Sequence, residues 1–300
     1  MSDQELGLSI AERERLQGAV AAAARYYRWE LLRATDGWQL EYLRAHGAEP
    51  VLAYDSPWKV GYAPKTAANL IGRLVDEGFG HGTLARAGLM DWTEHGGAVD
   101  LHRDRLMLVA RDLQSSAVGF VAIDPGGKVR SAGPANEIHR PSSVLIGVEE
   151  QRELLARGAV PVLVDGPMDA IAVSHASFRT GGEWAGIPLC GGGLSTAQVN
   201  ILRESSTSRT VLLVQSGTEA ERDQAAGYMQ DLSRFFERVR GIALPLGQTL
   251  AGLAQKEFGG GRLNDLLRNS RPLMKYRASG RGYVALQSAD LDSPAPAPGL

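Results

Sequence analysis

The stretch Pro161 to His175, PVLVDGPMDAIAVSH, decides how this chain is read. Its proline and apolar positions Pro161 to Val164 predict a strand covered on both faces. The strand ends on a carboxylate, Asp165, followed by a Gly166-Pro167 turn. A helix over 168–177 then carries a second carboxylate, Asp169, in its first turn. Proline at or beside the first helical position fixes φ where no N–H is needed. A carboxylate at the carboxyl end of a parallel strand stands where open α/β sheets place their ligands. Asp165 and Asp169 would share one mouth suited to a divalent cation, or Asp165 merely caps the helix.

Working outward, helix and strand alternate. A helix is expected at Glu149–Arg157 and a strand near Gly186–Leu189, opening into Cys190-Gly191-Gly192-Gly193. Ser195 caps a helix to about Arg203. Thr210–Gln215 is a buried strand, followed by a helix from about Glu219 to Val239 and a strand at Gly241–Leu244. This alternation predicts a parallel sheet with helices on its faces. Gly259-Gly260-Gly261 precedes a short helix, Leu263–Arg268, and the ending SPAPAPGL has the composition of a disordered tail.

The first half has a different character. Ser9 and Glu12 form a capping box, and the alanine run 19–24 favours a helix over Ser9–Arg33. Further helices are expected at Trp38–His46, Thr66–Glu77 and His81–Ala87, closed by Gly47, Gly78 and Gly88. Arg105–Arg111 and Val118–Asp124 read as strands, with turns at Asp112–Ser116 and Asp124–Gly127. Lys128 to Arg140 reads as irregular and polar, with Lys128, Arg130, His139 and Arg140 as a local basic group. His46, His81, His95 and His102 have no metal-ligand spacing and read as surface or loop residues.

Three hundred residues allow two compact domains, and 22% charged with 44% apolar residues is ordinary for a globular chain. A net charge of −2 gives no global attraction to nucleic acid, so such contacts must rest on a local patch. The single cysteine, Cys190, excludes an internal disulfide or a cysteine-based metal cage. The start is acidic, with no basic-then-apolar signal pattern, and no run approaches the ~18 apolar residues of a membrane span. A cytoplasmic protein with no membrane partner is expected.

In their order these segments resemble the catalytic core of bacterial DnaG-type primases, from about Ala22 to Met274. The motifs are AARYYRWELL, LEYLRAHG, VGYAP, AGLM, DRLMLVARD and a VGF strand. Lys128 and Pro134-Ala135-Asn136-Glu137 then stand for the lysine loop and an "SPET"-like element. Asp165-Gly166-Pro167-Met168-Asp169 is similar to the Glu-Gly-x-x-Asp signature of the toprim fold, the metal-dependent module shared with topoisomerases. CGGGLSTAQ matches the second toprim loop, and VDGPMDAIAV is similar to toprim proteins of actinobacterial plasmids and integrative elements. The resemblance covers the core alone: a zinc-binding module would need several Cys/His ligands, and a helicase-binding domain has no room.

The resemblance implies an α/β fold with an α-rich N-terminal subdomain holding a small strand region (1–148). A toprim-like parallel sheet flanked by helices (149–247), a short helical C-terminal end (248–287) and a disordered tail (288–300) follow. It also implies nucleotidyl transfer, in which carboxylates hold magnesium or manganese against the transferring phosphate. Asp165 and Asp169 would be the catalytic and metal residues, with Glu219 as a further ligand. Ser216 and Thr218 replace the family's Asp-x-Asp, while Arg262 and Asn264 replace its C-terminal acidic pair. A hydroxyl is a neutral, weak magnesium ligand, and a guanidinium could occupy the cation's space. Arg105, Arg111, Lys128 and Arg140 match basic nucleic-acid or nucleotide positions of the family, and Arg130 joins them as a candidate contact from the local basic group.

The expected function is therefore a degenerate primase-like protein. It would bind single-stranded DNA or an RNA–DNA primer-template in replication or transfer of a mobile element, with weak or no primer synthesis and no required cofactor. Two alternatives stand beside it. One is an active magnesium- or manganese-dependent primase or nuclease using Asp165, Asp169 and Glu219 or Glu221. The other is a protein-interaction module for a replication, relaxase or phage protein.

Overall fold

The computed structural model describes residues 7–66, 68–132, 135–190, 193–215, 231–272, 274–276 and 283–285. The chain divides into two compact units, one of residues 1–45 and 49–150, the other of 46–48 and 151–300.

The first unit is built on α1 (Ile10–Arg33), whose start carries the expected reciprocal capping box between Ser9 and Glu12. One face of α1, with Leu16, Ala19, Val20, Ala23 and Tyr27 buried, packs on a four-stranded sheet in the order β1-β4-β5-β6. These strands are β1 (Gly61–Ala63), β4 (Arg105–Arg111), β5 (Ala117–Ile123) and β6 (Val129–Ala132), all antiparallel. Gly61 lets β1 approach α1, because a Cβ there would stand 2.7 Å from Tyr27 Cβ and 2.8 Å from its carbonyl carbon. Shorter elements complete the unit: α2 (Trp38–Ala45), α3 (Asn69–Asp76), α4 (His81–Arg86) and the hairpin β2 (Met90–Trp92)–β3 (Ala98–Asp100).

Several expectations are corrected here. Residues 128–140 are not irregular throughout, since β6 pairs with β5 across the Asp124–Gly127 turn and completes the sheet edge. Helix α3 starts at Asn69 rather than Thr66, because its cap comes from far along the chain. Buried Asp100 accepts the N–H groups of Leu70 and Ile71, each at 3.0 Å. His102 lies in a loop, as expected, but not at the surface: it is 4% exposed, its ring lies edge-on to Phe120, and burial pushes its pKa down to about 4. His139 is buried against Gly119, where a Cβ would stand 2.6 Å from the ring. Burial lowers its pKa as well, so it does not join the basic group as a cation.

The second unit has a five-stranded sheet in the order β11-β10-β9-β7-β8. Its strands are β7 (Val160–Val164), β8 (Trp184–Pro188), β9 (Thr210–Gln215), β10 (Arg238–Ala243) and β11 (Arg271–Pro272). The first four are parallel, and β11 pairs antiparallel with β10. α5 (Arg152–Ala156), α6 (Pro167–Phe178) and α7 (Thr196–Ser205) belong to the strand–helix alternation, and α7 starts on a Ser195–Gln198 capping box. The helix expected to reach Val239 has given way by Phe236, because β10 already begins at Arg238. α8 (Leu250–Ala254) and α9 (Gly259–Arg268) follow. The glycine triplet lies inside α9 rather than before it. A Cβ on Gly259 would meet the carbonyl oxygens of Leu253 and Ala254 at 2.4 Å, so glycine permits the tight passage from α8 into α9. A small hairpin, β12 (Met274–Tyr276) with β13 (Tyr283–Ala285), ends the described chain.

Candidate functional site

In the second unit, Asp165 stands exposed at the carboxyl end of β7. It is not the N-cap residue: α6 starts at Pro167 with Gly166 as its N-cap. The β7–β8 ladder runs one step past the strands, because the Cys190 N–H donates to the Asp165 carbonyl at 2.8 Å. Cys190 itself has φ +56, a left-handed turn conformation, and burial pushes its thiol up to about 12. A thiol so held is not an activated nucleophile. Gly186 of β8 allows α6 to lie close, since a Cβ there would stand 2.3 Å from the Ala170 carbonyl oxygen.

Asp169 lies in the first turn of α6, near enough to Asp165 for the two negative charges to repel. Its Oδ1 accepts the Ala251 N–H at 2.8 Å, which ties α6 to the start of α8. Burial raises its pKa above the ordinary carboxylate value; the bonds from Ala251 and Leu250 and the nearby His46 oppose the shift, and Asp165 adds to it. The sequence showed no sign of this bond, because α8 lies some eighty residues away and carries no local marker of its partner.

Asn264 is buried on α9, and its Nδ2 donates to the carbonyl of Ala176 at 3.2 Å and of Gly260 at 2.9 Å. Ala176 is seven residues beyond Asp169, roughly 10 Å along α6, so this carboxamide serves the far end of the helix. Arg262 is exposed on the same α9. Ser216, Thr218, Glu219, Glu221 and Asp223 lie outside the described residues. Among the described residues, no group of three or more His, Cys, Asp or Glu could hold a metal ion. With one Asp169 oxygen already engaged, the described side chains do not fit a magnesium site by themselves.

In the first unit the basic residues separate into groups. Arg130 lies opposite Ala122, which in turn lies opposite Met107, and Met107 and Ala122 belong to the core under α1. Side chains directly opposite one another share a face, and alternate residues along a strand do too. Arg105, Lys128 and Arg130 therefore stand on one face at one end of the sheet. Lys128 and Arg130 are exposed, and Arg130 lies 3.7 Å from Asp124. Arg111 is at the other end of β4, roughly 20 Å away at ~3.3 Å per residue. It donates to the Ser115 carbonyl at 2.8 Å and lies near the half-buried Glu150. Arg140 is exposed just after His139.

At the same end of the sheet as Lys128 but on its other face, since Tyr62 pairs with Leu106 rather than Met107, lies an aromatic cluster that sequence reading did not single out. Trp38 packs edge-on to Tyr42 and to Tyr62, each with centroids 6.2 Å apart. Asp104 Oδ1 accepts from the Trp38 indole at 2.7 Å and from the Tyr62 hydroxyl at 2.8 Å. Burial, followed by the bond to Asp104, pushes the Tyr62 hydroxyl up to about 12. The Tyr42 ring lies over Gly127, where a Cβ would be 3.3 Å away and where φ is +78. These rings come from two separate segments, α2 and β1, so no single motif announces them. The "SPET"-like element is tied down locally, with Glu137 bound by Arg86 through two nitrogens at 2.8 and 2.6 Å.

Residues 26–130 match the family described as DNA primase catalytic core, N-terminal domain. A DNA primase of Synechococcus elongatus is 30% identical over 243 residues, covering 77% of this chain and 33% of that protein. One from Streptomyces coelicolor is 28% identical over 293 residues, covering 95% of this chain and 44% of that protein. The chain thus spans less than half the length of these primases. Among solved structures, the RNA polymerase domain of Mycobacterium tuberculosis primase DnaG superposes with a TM-score of 0.74 at 25% identity, covering 87% of this chain and 84% of that one. A DnaG primase catalytic domain bound to ssDNA superposes with a TM-score of 0.72 at 21% identity, covering 88% of this chain and 81% of that one.

Proposed function

The chain belongs with the bacterial DnaG-type primase catalytic cores, and from that premise we propose that it binds single-stranded nucleic acid with weak or no primer synthesis. The observation that carries the second half is the Asp169–Ala251 bond, which commits a signature carboxylate to holding α6 against α8. Ser216, Thr218, Arg262 and Asn264 stand where the family's remaining acids are expected, so the site has lost negative charge that a magnesium ion would need. The first half rests on Arg105, Lys128 and Arg130 at one end of the sheet, with the rings of Trp38, Tyr42 and Tyr62 at the same end on its other face. Cations hold a phosphate backbone without sequence preference through counterion release, and rings at the same sheet end offer bases a surface where the strand passes round the turn at Gly127. That a DnaG catalytic domain of the same fold was solved with ssDNA agrees with this reading. The setting we favour is replication or transfer of a mobile element, by the likeness of VDGPMDAIAV to toprim proteins of such elements.

A second reading, an active magnesium- or manganese-dependent polymerase or nuclease, draws on one feature: Asp165 is exposed at the strand end with Asp169 beside it. One experiment separates the two. Binding of a single-stranded oligonucleotide is measured across a salt series, alongside primer synthesis in magnesium or manganese. The expected result is salt-sensitive binding without appreciable primer product. The combined change Arg105→Ala, Lys128→Ala and Arg130→Ala should flatten the salt slope by about 2, at ~0.7 per phosphate contact on a single strand. Robust primer synthesis that Asp165→Ala abolishes would establish the second reading instead. Absence of oligonucleotide binding at low salt, with recovery of a tight protein partner, would leave the interaction-module reading.

A further inference from the structure

We propose that the cleft between α1 and α3 of the first unit is a separate nucleotide site, taking an aromatic base against Trp29 and Tyr26 and its phosphate on Arg25 and Arg73. None of these residues belongs to the Lys128 face or to the Asp165 mouth, so the inference is independent of the function proposed above. The cleft encloses about 490 Å³ and is lined by Ala22, Arg25, Tyr26, Trp29, Arg73 and Glu77. That volume lies within the range of small-ligand sites.

The rings of the cleft are held in place from behind. Trp29 is 56% exposed, unusual for so large an apolar side chain. The Arg33 guanidinium covers its ring at 4.3 Å from the centroid. Glu30, itself buried, fixes Arg33 at 2.7 Å and accepts the Tyr26 hydroxyl. Tyr26 and Trp29 lie with centroids 6.4 Å apart and planes inclined by 35°. A buried carboxylate therefore orders both rings before any ligand arrives, which lowers the entropy cost of binding.

The opposite wall is cationic. Glu77 accepts Arg73 Nε at 2.9 Å and lies 3.6 Å from Arg25 Nη2. Two guanidiniums thus share one carboxylate, leaving a net positive charge and unused N–H donors. Both remain open to solvent, with the Arg73 and Arg25 side chains 62% and 70% exposed. Guanidinium forks match phosphate oxygens. A simple anion would leave the ordered rings unused, and an apolar ligand would leave the arginines unused. A nucleotide uses both walls. A free nucleotide and a nucleotide within a single strand share this chemistry.

The test titrates the full chain by calorimetry with ATP in one arm and a short oligothymidylate in the other. The second arm uses an Arg105→Ala/Lys128→Ala/Arg130→Ala background, so that the basic sheet end does not contribute. Saturable binding is expected in at least one arm, and which arm responds identifies the source. Arg25→Ala and Arg73→Ala should each weaken it about tenfold, the usual loss for a charged hydrogen bond. Trp29→Ala should weaken it by about tenfold or more, as for a lost base stack, while Trp29→Phe, which keeps a ring, should retain most of it. Circular dichroism checks that each variant is folded. Absence of saturable binding in both arms at millimolar ligand overturns the proposal, as does binding that Trp29→Ala and Arg25→Ala/Arg73→Ala leave unchanged.

Discussion

Lys128 and Arg130 stand exposed on the edge of an antiparallel sheet, whereas Asp169 is half-buried at the end of a parallel one and bonded to the Ala251 N–H. All three are charged residues that the sequence analysis singles out as candidates. The edge strand leaves its cations in water, where charge costs little and a phosphate can reach it. The parallel sheet is covered by helices, and the carboxylate near its mouth has been drawn into fastening one helix to another. A charged residue singled out by its sequence can therefore stand free in water or be engaged by the backbone, and its neighbours decide which.

The strongest way to break this comparison is through the packing that sets it up. Gly186→Ala drives a Cβ to 2.3 Å from the Ala170 carbonyl oxygen, a backbone atom that cannot turn aside. Its loss should be about 3 kcal/mol or more in denaturant unfolding. Gly61→Ala in the first unit meets the Tyr27 backbone at 2.8 Å and should cost a similar amount. Mild effects at both positions would mean that neither helix lies as close to its sheet as described.

Next in size is the acid response of the first unit. His102 is buried and neutral, with its pKa pushed from 6.5 down to about 4 by burial. The unfolded chain takes up the proton at higher pH than the folded one. The stability that His102 contributes is thus complete above pH 6.5 and is lost as pH falls through about 4. The loss reaches about 3 kcal/mol at 1.36 kcal/mol per pKa unit. Urea midpoints measured between those pH values should fall in the wild-type chain and fall less in His102→Phe. An equal slope in both would place the acid sensitivity elsewhere.

The smallest effect sharpens the contrast most directly. An asparagine at 169 can still accept the Ala251 N–H while removing a buried charge. Asp169→Asn should therefore change stability at pH 7 by no more than about 1 kcal/mol. The sign follows from the raised pKa of Asp169. Its folded form holds the proton more tightly than the unfolded chain does, so wild-type stability is lost as pH rises through that raised value. The asparagine variant should lose none of this component. A stabilisation by manganese that disappears in Asp169→Asn would instead make the carboxylate a metal ligand.

Local signals were legible in the sequence because their causes lie within a turn or two of chain. Helix α1 with its Ser9–Glu12 box, strand β9 at Thr210–Gln215, and α7 capped by Ser195 and Gln198 all follow from neighbouring residues. So does the strand–turn–helix that carries Asp165 and Asp169, and with it the parallel architecture. What only the tertiary structure decided involves partners far apart along the chain. Asp100 sets where α3 begins, Ala251 engages Asp169, and α2 and β1 bring Trp38, Tyr42 and Tyr62 together around Asp104. Capping and hydrophobic periodicity are written in adjacent residues. The partner that satisfies a buried carboxylate or fills the space over a glycine is supplied by whatever the fold brings alongside, and no spacing along the chain encodes it.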